Sequence, residues 1–315
     1  MSPATPATLA TLAVPLSHWG VIRATGTEAS QFLHGQLTQD VLSLGPAEAR
    51  LAGYCSSKGR LLASFVVWKP RDGEVLLACH ASVLPATLKR LSMFVMRAKC
   101  QLKDASADVA LIGVSGERAH RSTEGLPVWG LRADVDSTWI RLPDVAGIAR
   151  AWQVSRTEAL HTLQPLALAA WRQLEVDSGI VTIEAATMDQ FVPQMLNFEL
   201  IGAVNFLKGC YPGQVVDDRA AYRGTIKRRT FLFVADAPIA AGQEVFHSVD
   251  PTQPAGLVAS AAPALSEEGK PVTSHALIEV KLAALEGGSL HLGAPDGALL
   301  ASGTMPYEVL RTEIS

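Results

Sequence analysis

The residues best suited to chemistry lie in one stretch, Asn205 to Arg229, which reads NFLKGCYPGQVVDDRAAYRGTIKRR. From Lys208 onward it holds six cations and two carboxylates, a local +4 in a chain of net charge -3, which leaves about -7 for the rest. A basic island in an acidic chain attracts anionic ligands. Cys210 sits inside it, between Gly209 and Gly213 and two residues from Lys208. A nearby cation favours the thiolate, and glycines permit a tight turn that exposes sulfur. The competing reading is a buried, inert cysteine beside a solvated basic face. Two tryptophans come next: Trp19 at the start of a strand-like run and Trp171 on a helix face. Indoles sandwich flat heterocycles, but an indole at helical spacing is also ordinary core.

Other chemistries have no signature. Cys55, Cys79, Cys100 and Cys210 form no CxxC pair, and the eight histidines show no pair at ligand spacing, so no metal site is expected. Phosphate-loop, dinucleotide, nucleophile-elbow and HExxH motifs are absent. Residues 1 to 22 carry no charged side chain and contain Pro3, Pro6 and Pro15, unlike a basic signal peptide, and no apolar run approaches the ~18 residues of a membrane span. A reduced, cytoplasmic protein is expected, with no membrane association.

These groups need a scaffold. With 315 residues, 48% of them hydrophobic and 18% charged, the chain has material for two or three domains. Residues 1–16, rich in Ala, Thr and Pro, read as a loose leader. Trp19 to Arg23 reads as a strand and Thr27 to Leu37 as a helix. The apolar runs 61–68 and 74–79, split by Lys69-Pro70-Arg71-Asp72-Gly73, predict a hairpin. A helix follows from Pro85, with Leu84, Leu88, Leu91 and Val95 in register, and another over 163–176, where Leu163, Ala167, Ala170, Trp171 and Leu174 share a face. From Thr230 onward, short runs divided by Pro and Gly predict a separate all-β domain, 230–315. There Ile278, Val280 and Leu282 alternate with Glu279 and Lys281, as in a half-buried strand.

The run PQMLNFELIGAVNFLKGCYPGQ, Pro193 to Gln214, resembles the signature of YgfZ-type folate-binding proteins, relatives of the glycine-cleavage T-protein. Arg219, Arg223-Gly224 and Lys227-Arg228 match the same pattern. FLHGQLTQDV (Phe32 to Val41) and YCSSKGRLLA (Tyr54 to Ala63) resemble two further blocks, shared with the wider superfamily. The resemblance implies an α+β fold. Its parts would be a three-lobed ring around a central folate channel, residues 17–229 forming two lobes, and a C-terminal β-barrel. It implies tetrahydrofolate as cofactor, contacts at Trp19, Trp171, Tyr211, Gln214 and Arg223, and chemistry at Cys210 with Lys208. The function it implies is an accessory role in assembly or repair of some iron–sulfur enzymes, with linked effects on tRNA modification. Iron–sulfur client or assembly proteins would be the partners, and direct nucleic-acid binding is not expected.

There are two departures. Val215 stands where the family has Glu, and the Arg-Thr-Gly-Tyr-Thr-Gly-Glu block and catalytic Asp of true aminomethyltransferases are missing, the matching hairpin ending in Ala78-Cys79-His80. Competing expectations are a folate-dependent aminomethyl or methyl transferase, with Asp40 as the one carboxylate in a matched block, and an RNA-binding module built on the basic island.

Overall fold

A computed structural model describes residues 13–156, 165–213, 226–265 and 271–309. The chain begins with β1 (Ala13–Pro15), β2 (Trp19–Thr25), α1 (Ala29–His34), β3 (Ala49–Cys55), β4 (Leu61–Arg71), β5 (Glu74–His80), α2 (Leu84–Val95) and β6 (Gln101–Asp104). It continues with β7 (Val109–Ser115), α3 (Glu117–Ser122), β8 (Leu131–Ala133), β9 (Ser137–Val145), β10 (Ile148–Arg156) and α4 (Pro165–Asp177). Two five-stranded sheets result, ordered β3-β4-β5-β2-β6 and β1-β7-β10-β9-β8. No helix among the described residues is long and apolar enough to cross a membrane.

The hairpin of β4 and β5 turns at Asp72-Gly73, with Arg71 opposite Glu74 and Gly73 at φ +71°. That conformation is easy only for glycine. Strand β4 runs on through Lys69 and Pro70, which the sequence assigns to the turn. The ladder shifts register between Trp68 and Arg71, where Pro70 has no N–H to give. The leader is also shorter than expected. Val14 and Leu16 are buried, and Ala13–Pro15 pairs antiparallel with β7, where Ala13 faces Val114.

Helix α4 ends at Gly179, at φ +72°, the usual helix-stopping geometry. The chain then runs along the first sheet as a stitched edge. Ile183 N–H donates to Ser64 Oγ (2.9 Å), Asp189 N–H to Leu61 C=O (2.8 Å), Leu61 N–H to Phe191 C=O (2.8 Å), and Thr38 Oγ1 to Ala203 C=O (2.7 Å).

The remaining strands, β11 (Arg228–Ala235), β12 (Glu244–His247), β13 (Asp250–Leu265), β14 (Pro271–Lys281), β15 (Leu290–Leu292) and β16 (Leu299–Ser302), close an antiparallel barrel in the order β11-β14-β13-β12-β15-β16. Phe231, Phe233, Val258, Ile278 and Val280 fill it. Strand β14 departs from the expected half-burial. Leu277 belongs to the core of the two sheets, so both faces are covered, and Glu279 is buried. Its carboxylate accepts two guanidinium bonds from Arg228, one of them 2.9 Å from Nη2. A buried charge survives when it is paired and hydrogen-bonded in this way.

Strand β7 presents Gly113 to the ring of Trp171, and a Cβ at 113 would lie 2.6 Å from Cδ2 and Cε2 of the indole. Gly113→Ala is therefore expected to cost ~1–3 kcal/mol in urea unfolding. Gly209→Ala, with nothing within 4 Å of its Cβ position, should stay within about 0.5 kcal/mol.

Candidate functional site

The thiol loop is built by Lys208. Helix α1 is short, and carbonyls at its C-terminal end lack intrahelical partners. The Lys208 ammonium, buried, donates to the carbonyls of Leu37 (2.6 Å) and His34. Asn205 Oδ1 accepts the N–H groups of Leu207 (2.9 Å) and Lys208 (3.1 Å), which closes the turn. Burial pulls the Lys208 pKa down to about 8, although Asp40 and Cys210 favour its charge. The ammonium also lies 5.0 Å from the centre of the Tyr211 ring, which is buried beneath it. Cys210 is exposed. After it, Gly213 (φ +83°) comes so close to the other matched block that a Cβ there would sit 2.5 Å from Gly59 Cα. Gln214, Arg223 and Val215 lie outside the described residues.

Most of the described cations of the basic island are committed to structure. Besides Lys208, Arg228 pairs with Glu279. Arg229, also buried, pairs with Glu199 and donates to Gln194 C=O (3.1 Å). Among the described cations of the island only Lys227 is exposed; Arg219 and Arg223 lie outside the described residues. Asp40 serves its own turn. Burial raises its pKa, but bonds from Ser43 and Leu42 and the neighbouring His34 outweigh this and hold it at about 2.

A narrow cavity of about 50 Å³ lies between the two sheets, smaller as it stands than the ~300–1,000 Å³ of typical small-molecule sites. Its walls include Trp19, Trp129, Trp152, Arg150, Glu175 and Phe198. Trp171, expected at the ligand, does not reach it. The ring is fully buried on Gly113, and its Nε1–H donates to Glu175 Oε1 (2.8 Å). Trp19 does line the cavity. Its Nε1–H donates to the same oxygen (2.9 Å), and its ring meets Trp152 edge-on at 4.8 Å. His18 Nε2–H completes the set on Oε2 (2.7 Å). Burial raises the Glu175 pKa, but the adjacent His18 and the hydrogen bonds from His18, Trp19 and Trp171 outweigh it and lower the value, so the carboxylate stays ionised. About 20% of its side chain remains exposed, and it is one of the cavity walls.

Opposite lies β10. Arg150 and Trp152, two apart on one face of the strand, both point into the cavity. Arg150 donates Nε–H to Pro143 C=O and Nη1–H to Leu174 C=O, each 3.0 Å. Burial pulls its pKa down to about 10, against Glu175, Asp177 and Asp144, and leaves it charged. Trp152 is 2% exposed, and its indole N–H has no hydrogen-bond partner. The cavity thus offers aromatic walls, an anionic acceptor and donors, one of them unsatisfied. That set suits a flat heterocycle carrying both N–H groups and ring or carbonyl acceptors. Arg150, Trp152, Trp129, Glu175 and His18 escape the sequence reading. The available signals were the period-two pair on a strand and the i,i+4 spacing of Trp171 and Glu175. Cys210 and Tyr211 are not cavity walls.

One measurement tests the placement of Lys208. Because its folded pKa is near 8 rather than 10.5, the unfolded chain binds more protons between those values, and stability rises with pH there. Wild type should gain stability over Lys208→Met as pH increases from about 8 to 10.5, in paired denaturant titrations. A constant gap would show that the ammonium is not desolvated.

No family model matches the chain. It is 31% identical to tRNA-modifying protein YgfZ of Edwardsiella ictaluri, with 69% of each chain covered. It is 29% identical to the protein of the same name from Sodalis glossinidius, with 74% of each covered. Among solved structures it superposes on the glycine cleavage system aminomethyltransferase T of Bartonella henselae with a TM-score of 0.71. That match covers 98% of this chain and 89% of the other at 16% identity, a likeness of fold. The T-protein-like scaffold, with its closed C-terminal barrel and central cavity, joins the sequence match in one conclusion: the chain belongs to the YgfZ family.

Proposed function

We propose that this chain is a tetrahydrofolate-binding accessory protein. It supports the assembly or repair of a subset of iron–sulfur enzymes and, through them, tRNA modification. The observation that carries the folate part is the cavity: tryptophan walls, an ionised Glu175, and an Arg150–Trp152 donor pair with one N–H unsatisfied. A pterin is flat and carries N–H donors and ring acceptors on its edges, which complements those groups. Tetrahydrofolate would bring a carrier of one-carbon units. The chain's own residues would bind it between indoles, orient it by Glu175 and Arg150, and exclude water. The relatives are named for tRNA modification, and the exposed Cys210 is the group free to meet a protein partner. That partner would be an iron–sulfur client or assembly protein in the cytoplasm.

The aminomethyl or methyl transferase is the second reading. Glu175 supplies the cavity carboxylate that it requires and that Asp40, outside the walls, does not. Turnover of an amine donor with tetrahydrofolate would decide in its favour.

Trp19, Trp129 and Trp152 provide an internal probe. Tetrahydrofolate should change the intrinsic fluorescence in the micromolar range, and an unchanged signal from folded protein sinks the cofactor assignment. Glu175→Gln replaces a charge-assisted acceptor and should weaken binding by about tenfold or more. Cys210→Ser should leave that titration as it is and abolish complementation of a deletion strain. Full complementation would make the thiol dispensable.

A further inference from the structure

Behind Glu175 lies a second, smaller chamber lined by His18, His80, Arg172, Glu184 and Ser260. It shares Glu175, Ile180 and Thr182 with the main cavity, so the carboxylate is a wall of both. The hydrogen bonds around it have a direction. The backbone N–H of Ala185 donates to Ser82 Oγ (3.0 Å), and the backbone N–H of Ser82 donates to His80 Nδ1 (3.3 Å). A backbone N–H can only donate, so His80 Nδ1 is an acceptor. It also takes the Ser82 hydroxyl proton, at 2.7 Å. The His80 proton therefore sits on Nε2. His18 Nε2 faces a carboxylate at 2.7 Å and donates to it; in the neutral ring that the relay requires, Nδ1 is then a lone pair. That Nδ1 is buried and without a partner. The two imidazole centres are 6.0 Å apart, a span that one water bridges.

We infer that Ser82, His80, a bridging water and His18 form a proton relay that carries a proton from the surface to Oε2 of Glu175. Ser82 is exposed, and the Ser82 hydroxyl and His18 Nε2–H, at the two ends of the relay, donate toward the cavity. The step balances as a sequence of hops. A solvent proton joins Ser82 Oγ, whose own proton passes to His80 Nδ1. His80 Nε2–H moves to the water, the water gives a proton to His18 Nδ1, and His18 Nε2–H moves to Glu175. One proton enters and one carboxylate becomes neutral.

The surroundings suit the role. Burial, with His18 and Arg172, pulls the His80 pKa down to about 4, so the ring is neutral and free to pass a proton. Arg172 stands 3.8 Å from Glu184. Burial pushes the Glu184 pKa up. Arg150 is the cation on the cavity side, and the barrel presents only Ser260 and Ala261. That the delivered proton serves a ligand rests on the proposed folate cavity. The relay itself does not.

The test therefore uses no ligand. In protein labelled with nitrogen-15 at histidine, long-range proton–nitrogen correlation should show His18 and His80 both as neutral Nε2–H tautomers. Exchange of the His18 Nε2–H with solvent should slow by roughly tenfold or more in His80→Phe. Ser82→Ala, an exposed change that spares the fold, should slow it too and release the His80 tautomer. An Nδ1–H tautomer at either ring, or unchanged exchange in folded Ser82→Ala, overturns the relay. Failure of tetrahydrofolate to bind, with these results intact, would count only against the cofactor.

Discussion

Three N–H groups from distant parts of the chain meet on one carboxylate. His18 and Trp19 reach Glu175 across 157 and 156 residues, and Trp171 reaches it from one turn away on α4. Closing loops of that length is entropically costly, and the return is a fixed seat for α4 against both sheets. If the carboxyl group is removed, three donors are stranded in a buried space, where each unsatisfied group costs ~1–3 kcal/mol. Arg150 depends on the same seat, since it donates to the carbonyl of Leu174, one residue before Glu175. The cavity's anion and cation thus hold one another's backbone supports in place without direct contact.

The thiol loop is organised separately. Lys208 ties it to the end of α1, and Asn205 closes its turn. Gly213 then brings the backbone against Gly59. Each of these ordinary contacts leaves the Cys210 side chain outside. What the motif builds is a rigid stand for an exposed sulfur, at a surface distinct from the walls of the cavity.

Much of the scaffold was legible because periodicity and turn chemistry are local. The β4–β5 hairpin follows from its Asp-Gly turn, α4 from its apolar face, and the barrel from its punctuated short strands. Strand ends were less so. Pro70 stays in a strand by means of a register shift, and Ala13–Pro15 acquires β structure only because β7 offers an edge. The site was legible only in part. Trp19 was found. Trp171 was identified too, but its role comes from Gly113 beneath it and Glu175 above, which no local pattern reveals. Arg150 and Trp152 look like ordinary alternation along a strand until the opposing sheet is in place. The charge count is incomplete for a related reason. Arg228 and Arg229 have their counter-ions, Glu279 and Glu199, 51 and 30 residues away, so a local sum does not describe their surroundings.

The lone indole N–H of Trp152 has a thermodynamic side. A buried donor without an acceptor is rare in native proteins because the folded state bears its desolvation. Whatever supplies that acceptor binds the folded chain and not the unfolded one, and so deepens the native well by mass action. With the proposed folate as that partner, supply of the ligand and survival of the chain would be linked. Starved of it, the protein would spend more time open, where proteases and chaperones act. Its abundance, as well as its occupancy, would follow the ligand pool.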